Sequence, residues 1–157
     1  MRKGTVVALC VAVALGVAST AGAGGSGVLS FKGSLTVAQT MMHPKQVTGS
    51  TKGRFVATLN GATMKFTLWY DRLSTVPANA YLYRGAKGTA GSKIALLCKN
   101  CSTTTAYDAK NTTGSGKGQV ILTKPQINAL VGGKTYVLVT TPVNPGGELR
   151  GQVAWVH

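Results

Sequence analysis

The chain has 157 residues, and its 17 lysine and arginine side chains against three acidic ones give a formal net charge of +14 at pH 7. With 44% hydrophobic and 13% charged residues and no series of long apolar runs, the composition excludes a polybasic disordered tail and a multi-span membrane protein. Asp71, Asp108 and Glu148 are the only acidic residues. The chain therefore has almost no candidates for a catalytic mechanism that needs a pair of carboxylates. We expect one globular domain.

The N-terminal segment has the features of a secretory signal peptide. Residues 1–3 include two positive charges, residues 6–17 form a short apolar run, and Ala21-Gly22-Ala23 offers a small-x-small cleavage site. We therefore expect a signal peptide over residues 1–23 and a mature domain over residues 24–157, with no transmembrane segment after cleavage. This arrangement predicts a secreted protein, whether extracellular, periplasmic or at the cell surface.

Alternation of apolar and polar residues, the period of a half-buried strand, dominates the mature chain. It is clearest over residues 29–37, 53–60 and 62–71, and the dipeptide Asn60-Gly61 predicts a two-residue turn that joins the last two runs in a hairpin. Further strands are predicted at Ala80–Arg84, Lys93–Leu97, Gly118–Leu122, Thr135–Thr140 and Glu148–Val156.

One short helix interrupts this pattern. Thr123 can cap it, Pro125 suits its first turn, and Gly132-Gly133 ends it. Residues 24–27 and 109–117 are rich in small and polar side chains and are expected to form a flexible leader and a loop. About eight strands with Gly-rich turns and one short helix predict an all-β fold, an antiparallel Greek-key sandwich or barrel.

Two cysteines remain after signal cleavage, Cys98 and Cys101, in the spacing C-x-x-C. In an oxidising compartment this pair is expected to form a local disulfide, although so short a loop limits the stability that it adds. A redox role would place the pair at the start of a helix, whereas residues 102–105 are poor helix sequence. A zinc site would need two more ligands, and His43 and His157 are far away in the sequence.

No catalytic residue, metal ligand or cofactor is predicted from the remaining side chains. His43 follows Met41 and Met42, a set that could suit copper, but a solvated loop is the expected setting. The neighbours Trp69 and Tyr70 should lie on opposite faces of one strand. If Trp69 lies beside the tyrosines of the next strand, an aromatic surface for sugars or peptides would result; a hydrophobic rim is the alternative.

A long motif lies near the C-terminus, the run N-P-G-G-E-L-R-G-Q over residues 144–152. It resembles the closing signature of the CHRD family, the domain named after chordin. Residues 122–133 resemble the stretch before the family's penultimate strand, residues 85–91 resemble its Gly-rich turn, and residues 31–37 fit its opening strand, so the resemblance covers nearly the whole mature chain. The signature residues, expected to be structural, are Asn144, Pro145, Gly146, Gly147, Glu148, Arg150 and Gly151.

The signature also has a physical interpretation. Its first four residues are typical of a turn, and Glu148 and Arg150, two apart on a strand, share a face and could form an ion pair beside the turn. The resemblance implies an exported module with a fold similar to copper–zinc superoxide dismutase, an eight-stranded Greek-key barrel.

The chain departs from the family at three positions. Where the family commonly has His-x-His before the Gly-rich turn this chain has Tyr81 and Tyr83, and where it commonly has a third histidine this chain has Thr140. Three imidazoles on one face would suit copper or zinc, whereas phenols and a hydroxyl bind divalent metals poorly. If the family constellation is a metal site, we expect this member to have lost it.

The basic residues of the mature chain are spread singly through the sequence, with no two adjacent. Nucleic-acid-binding proteins usually concentrate such residues, so no nucleic-acid partner is expected. A high positive potential attracts polyanions, with an affinity that falls as salt rises. Two hypotheses result: an exported non-enzymatic CHRD-like module with a binding or structural role toward a polyanionic or protein partner, and a metal-binding or redox protein on a superoxide dismutase-like barrel.

Overall fold

The structure is a computed structural model that describes residues 27–99, 101, 105–106 and 112–157. The predicted signal peptide and Asp108 lie outside the described residues. Within them the chain forms ten strands: β1 Leu29–Thr36, β2 Lys52–Asn60, β3 Thr63–Asp71, β4 Asn79–Arg84, β5 Ser92–Lys99, β6 Thr105–Ala106, β7 Gly114–Ile121, β8 Thr135–Thr140, β9 Leu149–Gln152 and β10 Ala154–Val156. A 3-10 helix spans Val37–Gln39, and the α-helix α1 spans Lys124–Val131.

All paired strands run antiparallel in one sheet. The order is β5-β4-β8-β9-β1-β2-β3-β7-β6, and β10 pairs with β1 beside the end of β9. β5 also approaches β7, so the sheet curls into a nearly closed barrel. The predicted all-β class, with about eight principal strands and one short α-helix, is therefore confirmed; β6 and β10 are additional strands of two and three residues.

The core fills the inside of this curled sheet. Along β2 and β3 every second side chain is buried, as the alternation predicted. The opposite side of the barrel contributes the inward side chains of β4, β8 and β9, among them Leu82, Val137, Val139 and Leu149. Because the inward positions are taken by apolar residues, the polar and charged residues of the same strands are placed on the outward face.

The predicted hairpin between β2 and β3 is confirmed, but its turn lies one residue later than expected. Asn60 pairs with Thr63, so the two turn residues are Gly61 and Ala62. Gly61 alone has a positive φ, of 58°. A turn with positive φ only at its first central residue needs glycine there and tolerates other residues next, which leaves Asn60 in the strand.

The loop predicted over residues 109–117 is partly wrong. Residues 109–111 lie outside the described part of the chain, but β7 already begins at Gly114 and pairs with β3 over its whole length. Its glycines make room for large neighbours: a Cβ at Gly118 would lie 2.9 Å from Cζ of Phe66. The glycines that made this segment look like a loop therefore allow β7 to pack closely against β3.

Close approach also explains Gly151 of the signature. β9 lies between β8 and β1, and a Cβ on Gly151 would overlap the carbonyl oxygen of Ser34. Any larger residue must push β9 away from β1. The glycine is thus required for the barrel to continue from its β4–β8–β9 side to its β1–β2–β3 side.

We predict that Gly151→Ala lowers the free energy of unfolding by about 2 kcal/mol or more, because backbone rather than a flexible side chain blocks the added methyl group. Urea denaturation measures the loss. Gly49→Ala is the matched control, since no atom lies within 4 Å of its built Cβ. Equal stabilities of the two variants would contradict this account of β9.

Candidate functional site

The three positions where the chain departs from the family lie on one outward face. In β4, Ala80 and Leu82 point into the core, so Tyr81 and Tyr83 point outward. Across the ladder from β8, Tyr83 lies opposite Tyr136 and Asn79 lies opposite Thr140. The structure therefore brings Tyr81, Tyr83 and Thr140 to the same face.

The tyrosines of this face pack against one another and against two cations. Tyr83 stacks on Tyr136 with ring centroids 5.1 Å apart, and Tyr81 meets Tyr83 edge-on at 6.1 Å. Cζ of Arg150 lies 3.7 Å from the ring centroid of Tyr136, and Nζ of Lys93 lies 3.7 Å from that of Tyr81. We call these five residues the tyrosine stack. Because the ring faces are covered by other rings and by cations, the tyrosine stack is a packed cluster.

The polar atoms around the tyrosine stack do not form a metal site. The hydroxyl of Thr140 donates a hydrogen bond to the carbonyl of Asn79 at 3.2 Å. Burial raises the pKa of Tyr136, an effect that the neighbouring Arg150 partly offsets, so this phenol resists becoming the phenolate that a metal would need. Among the described residues, no three of the His, Cys, Asp and Glu side chains come together as a potential metal site.

The signature residue Glu148 is a carboxylate buried inside the protein, with none of its surface exposed. One oxygen accepts a hydrogen bond from the backbone N–H of Ser74 at 2.6 Å, and the other accepts from the Ser74 hydroxyl at 2.5 Å. The second oxygen also accepts from the Thr141 hydroxyl at 2.7 Å and from the Asn144 amide at 2.9 Å. All four groups are donors, which is the set that an ionised carboxylate requires.

Asn144 extends this network to a third loop. Its side chain accepts a hydrogen bond from the backbone N–H of Lys45 at 2.6 Å and donates one to the carbonyl of the same residue at 3.0 Å. Gly147, with φ of 121°, completes the turn that brings Asn144 and Glu148 together. The loop after β3, the loop after β8 and the segment before β2 are therefore joined at one end of the barrel.

Arg150 does not pair with Glu148, so the ion pair that their spacing made possible does not form. Its Nη2 donates to the carbonyls of Ala86 at 3.2 Å and Thr89 at 2.7 Å, on both sides of the Gly-rich turn. Glu148 instead finds four donors in the loops at the other end of β4. The acid and the base of the signature therefore make separate contacts, with hydrogen-bond donors for Glu148 and backbone carbonyls for Arg150.

The family comparison agrees with this geometry. The family model of the CHRD domain matches residues 31–153, from β1 to the end of the signature. The chain belongs to the CHRD family. Comparisons with curated proteins and with solved structures find no match, so the likeness to the superoxide dismutase barrel stays a prediction. Membership of the CHRD family indicates an extracellular module, and the described residues include no helix long and apolar enough to cross a membrane.

Other predicted sites of this CHRD domain are separate from the tyrosine stack. Cys98 and Cys101 form the predicted disulfide at the end of β5. His43 is exposed in a loop, and His157 lies beside Trp155 with ring centroids 4.2 Å apart. The aromatic surface that Trp69 could have shared with the tyrosines of β4 does not form: the ring of Trp69 lies beside Arg54, and those tyrosines pack with each other and with Tyr136.

A second outward surface gathers basic side chains that are far apart in the sequence. In its middle, Val56 of β2 and Thr67 of β3 lie opposite each other. Four exposed cations surround this pair, one from each of four adjacent strands: Lys32, Arg54, Lys65 and Lys117. We call this surface the basic face. A depression of about 510 Å³ lies on it, lined by three of the cations and by small residues such as Ser30 and Thr58.

We predict that Glu148→Gln lowers the free energy of unfolding by about 2–4 kcal/mol, because either orientation of the amide turns an NH₂ toward a buried donor. Chemical denaturation measures the change. Asp71→Asn is the matched control, since Asp71 is partly exposed and lies 4.0 Å from the exposed Arg72, so its loss should cost less than about 1 kcal/mol. A Gln variant as stable as the control would contradict the buried network.

The disulfide gives a further prediction. Thiol titration of the unfolded mature protein without reductant should find no free thiol. Replacing Cys98 and Cys101 together by serine should lower the free energy of unfolding by about 2 kcal/mol, as expected for so short a loop. Two free thiols in protein isolated from its native compartment would overturn the disulfide there.

Proposed function

We propose that this CHRD domain is an exported, non-enzymatic module that binds a polyanionic polymer outside the cell or at its surface through the basic face. The observation that carries the proposal is the gathering of four cations around one depression. The predicted signal peptide and the family's usual non-enzymatic character support export and binding rather than catalysis.

None of the acidic side chains that the structure describes lies on the basic face. Of the two acidic residues that the structure describes, Glu148 is buried, and Asp71 lies at the end of β3 opposite Lys52. Neither lies among the four cations. The potential of these cations therefore adds up over the surface and attracts anionic groups from solution.

The spacing of the cations suits a polymer better than one small anion. Lys32 and Lys117 are separated by three strand spacings, roughly 14 Å between Cα atoms. Arg54 and Lys65 lie on neighbouring strands but four positions apart along them, again roughly 14 Å. A chain with repeated anionic groups can contact several of these cations at once, whereas one compact anion would contact one or two.

The floor of the depression supports a sugar-containing polymer. Short side chains in the middle leave room between the long cationic ones, and the hydroxyl groups of Ser30, Thr58 and Thr67 line it. Hydroxyls donate and accept hydrogen bonds, which suits the hydroxyl groups of a glycan. Beside the depression Arg54 lies over the ring of Trp69, with Cζ 5.8 Å from its centroid.

The test compares two variants with the same change in net charge. The first replaces the cations of the basic face by glutamine, at Lys32, Arg54, Lys65 and Lys117. The second replaces four exposed lysines elsewhere, at Lys45, Lys99, Lys124 and Lys134. With heparin as the model polyanion at physiological salt, the first variant should lose about 100-fold in affinity, as expected for four exposed charge contacts.

The control variant should keep most of the affinity, and binding by the unchanged protein should weaken steadily as salt is raised. Equal losses in the two variants would mean that net charge, not the basic face, attracts the polymer. No binding by the unchanged protein at physiological salt would overturn the proposed function.

A further inference from the structure

A second depression, separate from the basic face, lies over β9. It has a volume of about 310 Å³ and is lined by the 3-10 helix and the two residues after it, by the Gly-rich turn and by two side chains of β9. Two cations line it, Arg150 and Lys87. We call it the Arg150 pocket. It shares no residue with the depression on the basic face.

Arg150 is a buried charge without an acidic partner. Its side chain is only 4% exposed, and the one ion pair among the described residues joins Arg72 to Asp71. Both of its hydrogen bonds are made by Nη2 to backbone carbonyls, so within the described chain Nη1 and Nε have no hydrogen-bond acceptor. Buried guanidinium groups ordinarily have a counterion, because removing the charge from water is costly.

Lys87 brings a second positive charge to the same pocket. It is exposed and lies in the Gly-rich turn, between the two residues whose carbonyls Arg150 holds. The hydrogen bonds of Arg150 thus fix the turn that carries Lys87. Two like charges that flank one cavity repel each other, and an anion between them would relieve the repulsion.

We infer that the Arg150 pocket binds an oxyanion group, a carboxylate, sulfate or phosphate. The planar guanidinium matches such groups through two parallel hydrogen bonds, and the lysine adds a point charge. The volume is at the lower end of small-ligand pockets, so the pocket takes a compact anionic group rather than a length of polymer. This inference does not depend on the polymer-binding role of the basic face.

The test is an NMR titration of the ¹⁵N-labelled protein with sodium acetate, sodium sulfate and sodium phosphate in separate arms, with sodium chloride keeping ionic strength constant. Saturable shifts are expected at the amides of Lys87, Gly88 and Thr89 and at the Nε–H of Arg150. The arm that saturates at the lowest concentration identifies the oxyanion.

Three variants complete the design. Lys87→Met should weaken the affinity about fivefold, the effect of losing one exposed charge contact, without changing the fold. Arg150→Lys should weaken the affinity further. If that variant does not fold, the comparison of Lys87→Met with the unchanged protein decides the result. Lys65→Met, on the basic face, should leave the affinity unchanged. Shifts that do not saturate in any arm, or that disappear in Lys65→Met and not in Lys87→Met, would overturn the inference.

Discussion

The burial of one carboxylate without a basic partner governs the architecture of this CHRD domain. An ionised acid removed from water needs a full set of hydrogen-bond donors, and Glu148 draws its donors from two loops. Asn144 then ties in the segment around Lys45. These polar contacts thereby join three connections at one end of the barrel, beside Leu73, which anchors the loop after β3 in the hydrophobic core.

The same residue decides what the rest of the signature does. Because Glu148 is satisfied by loops at one end of β4, Arg150 is free to cover Tyr136 and to hold the Gly-rich turn at the other end. Acids are scarce and the described ones are taken up away from the basic surfaces, so positive charge on the outside is not neutralised. The outer surface is therefore positive both because the chain has few acidic residues and because the described ones lie away from the basic surfaces.

Local patterns predicted what depends on neighbours in the sequence. The alternation in β2 and β3 predicted which of their side chains are buried, and Thr123 with Pro125 predicted where α1 begins. The basic face needed the register of four strands, which no local pattern contains. The partner of Glu148 could not be predicted either, because Ser74 is 74 residues away and a serine in a loop carries no signal of its role. Tyr136 was missed for a related reason: its importance comes from stacking on another strand.

The nearly closed barrel leaves a seam between β5 and β7, and this seam bears on self-association. An open strand edge invites pairing with another molecule. β6 pairs with the first two residues of β7, while β5 carries exposed Lys93 and Lys99, and the Cys98–Cys101 disulfide lies at the end of β5. The lysines on β5 and the short strand at one end of β7 are features that work against edge-to-edge pairing of two copies of this domain.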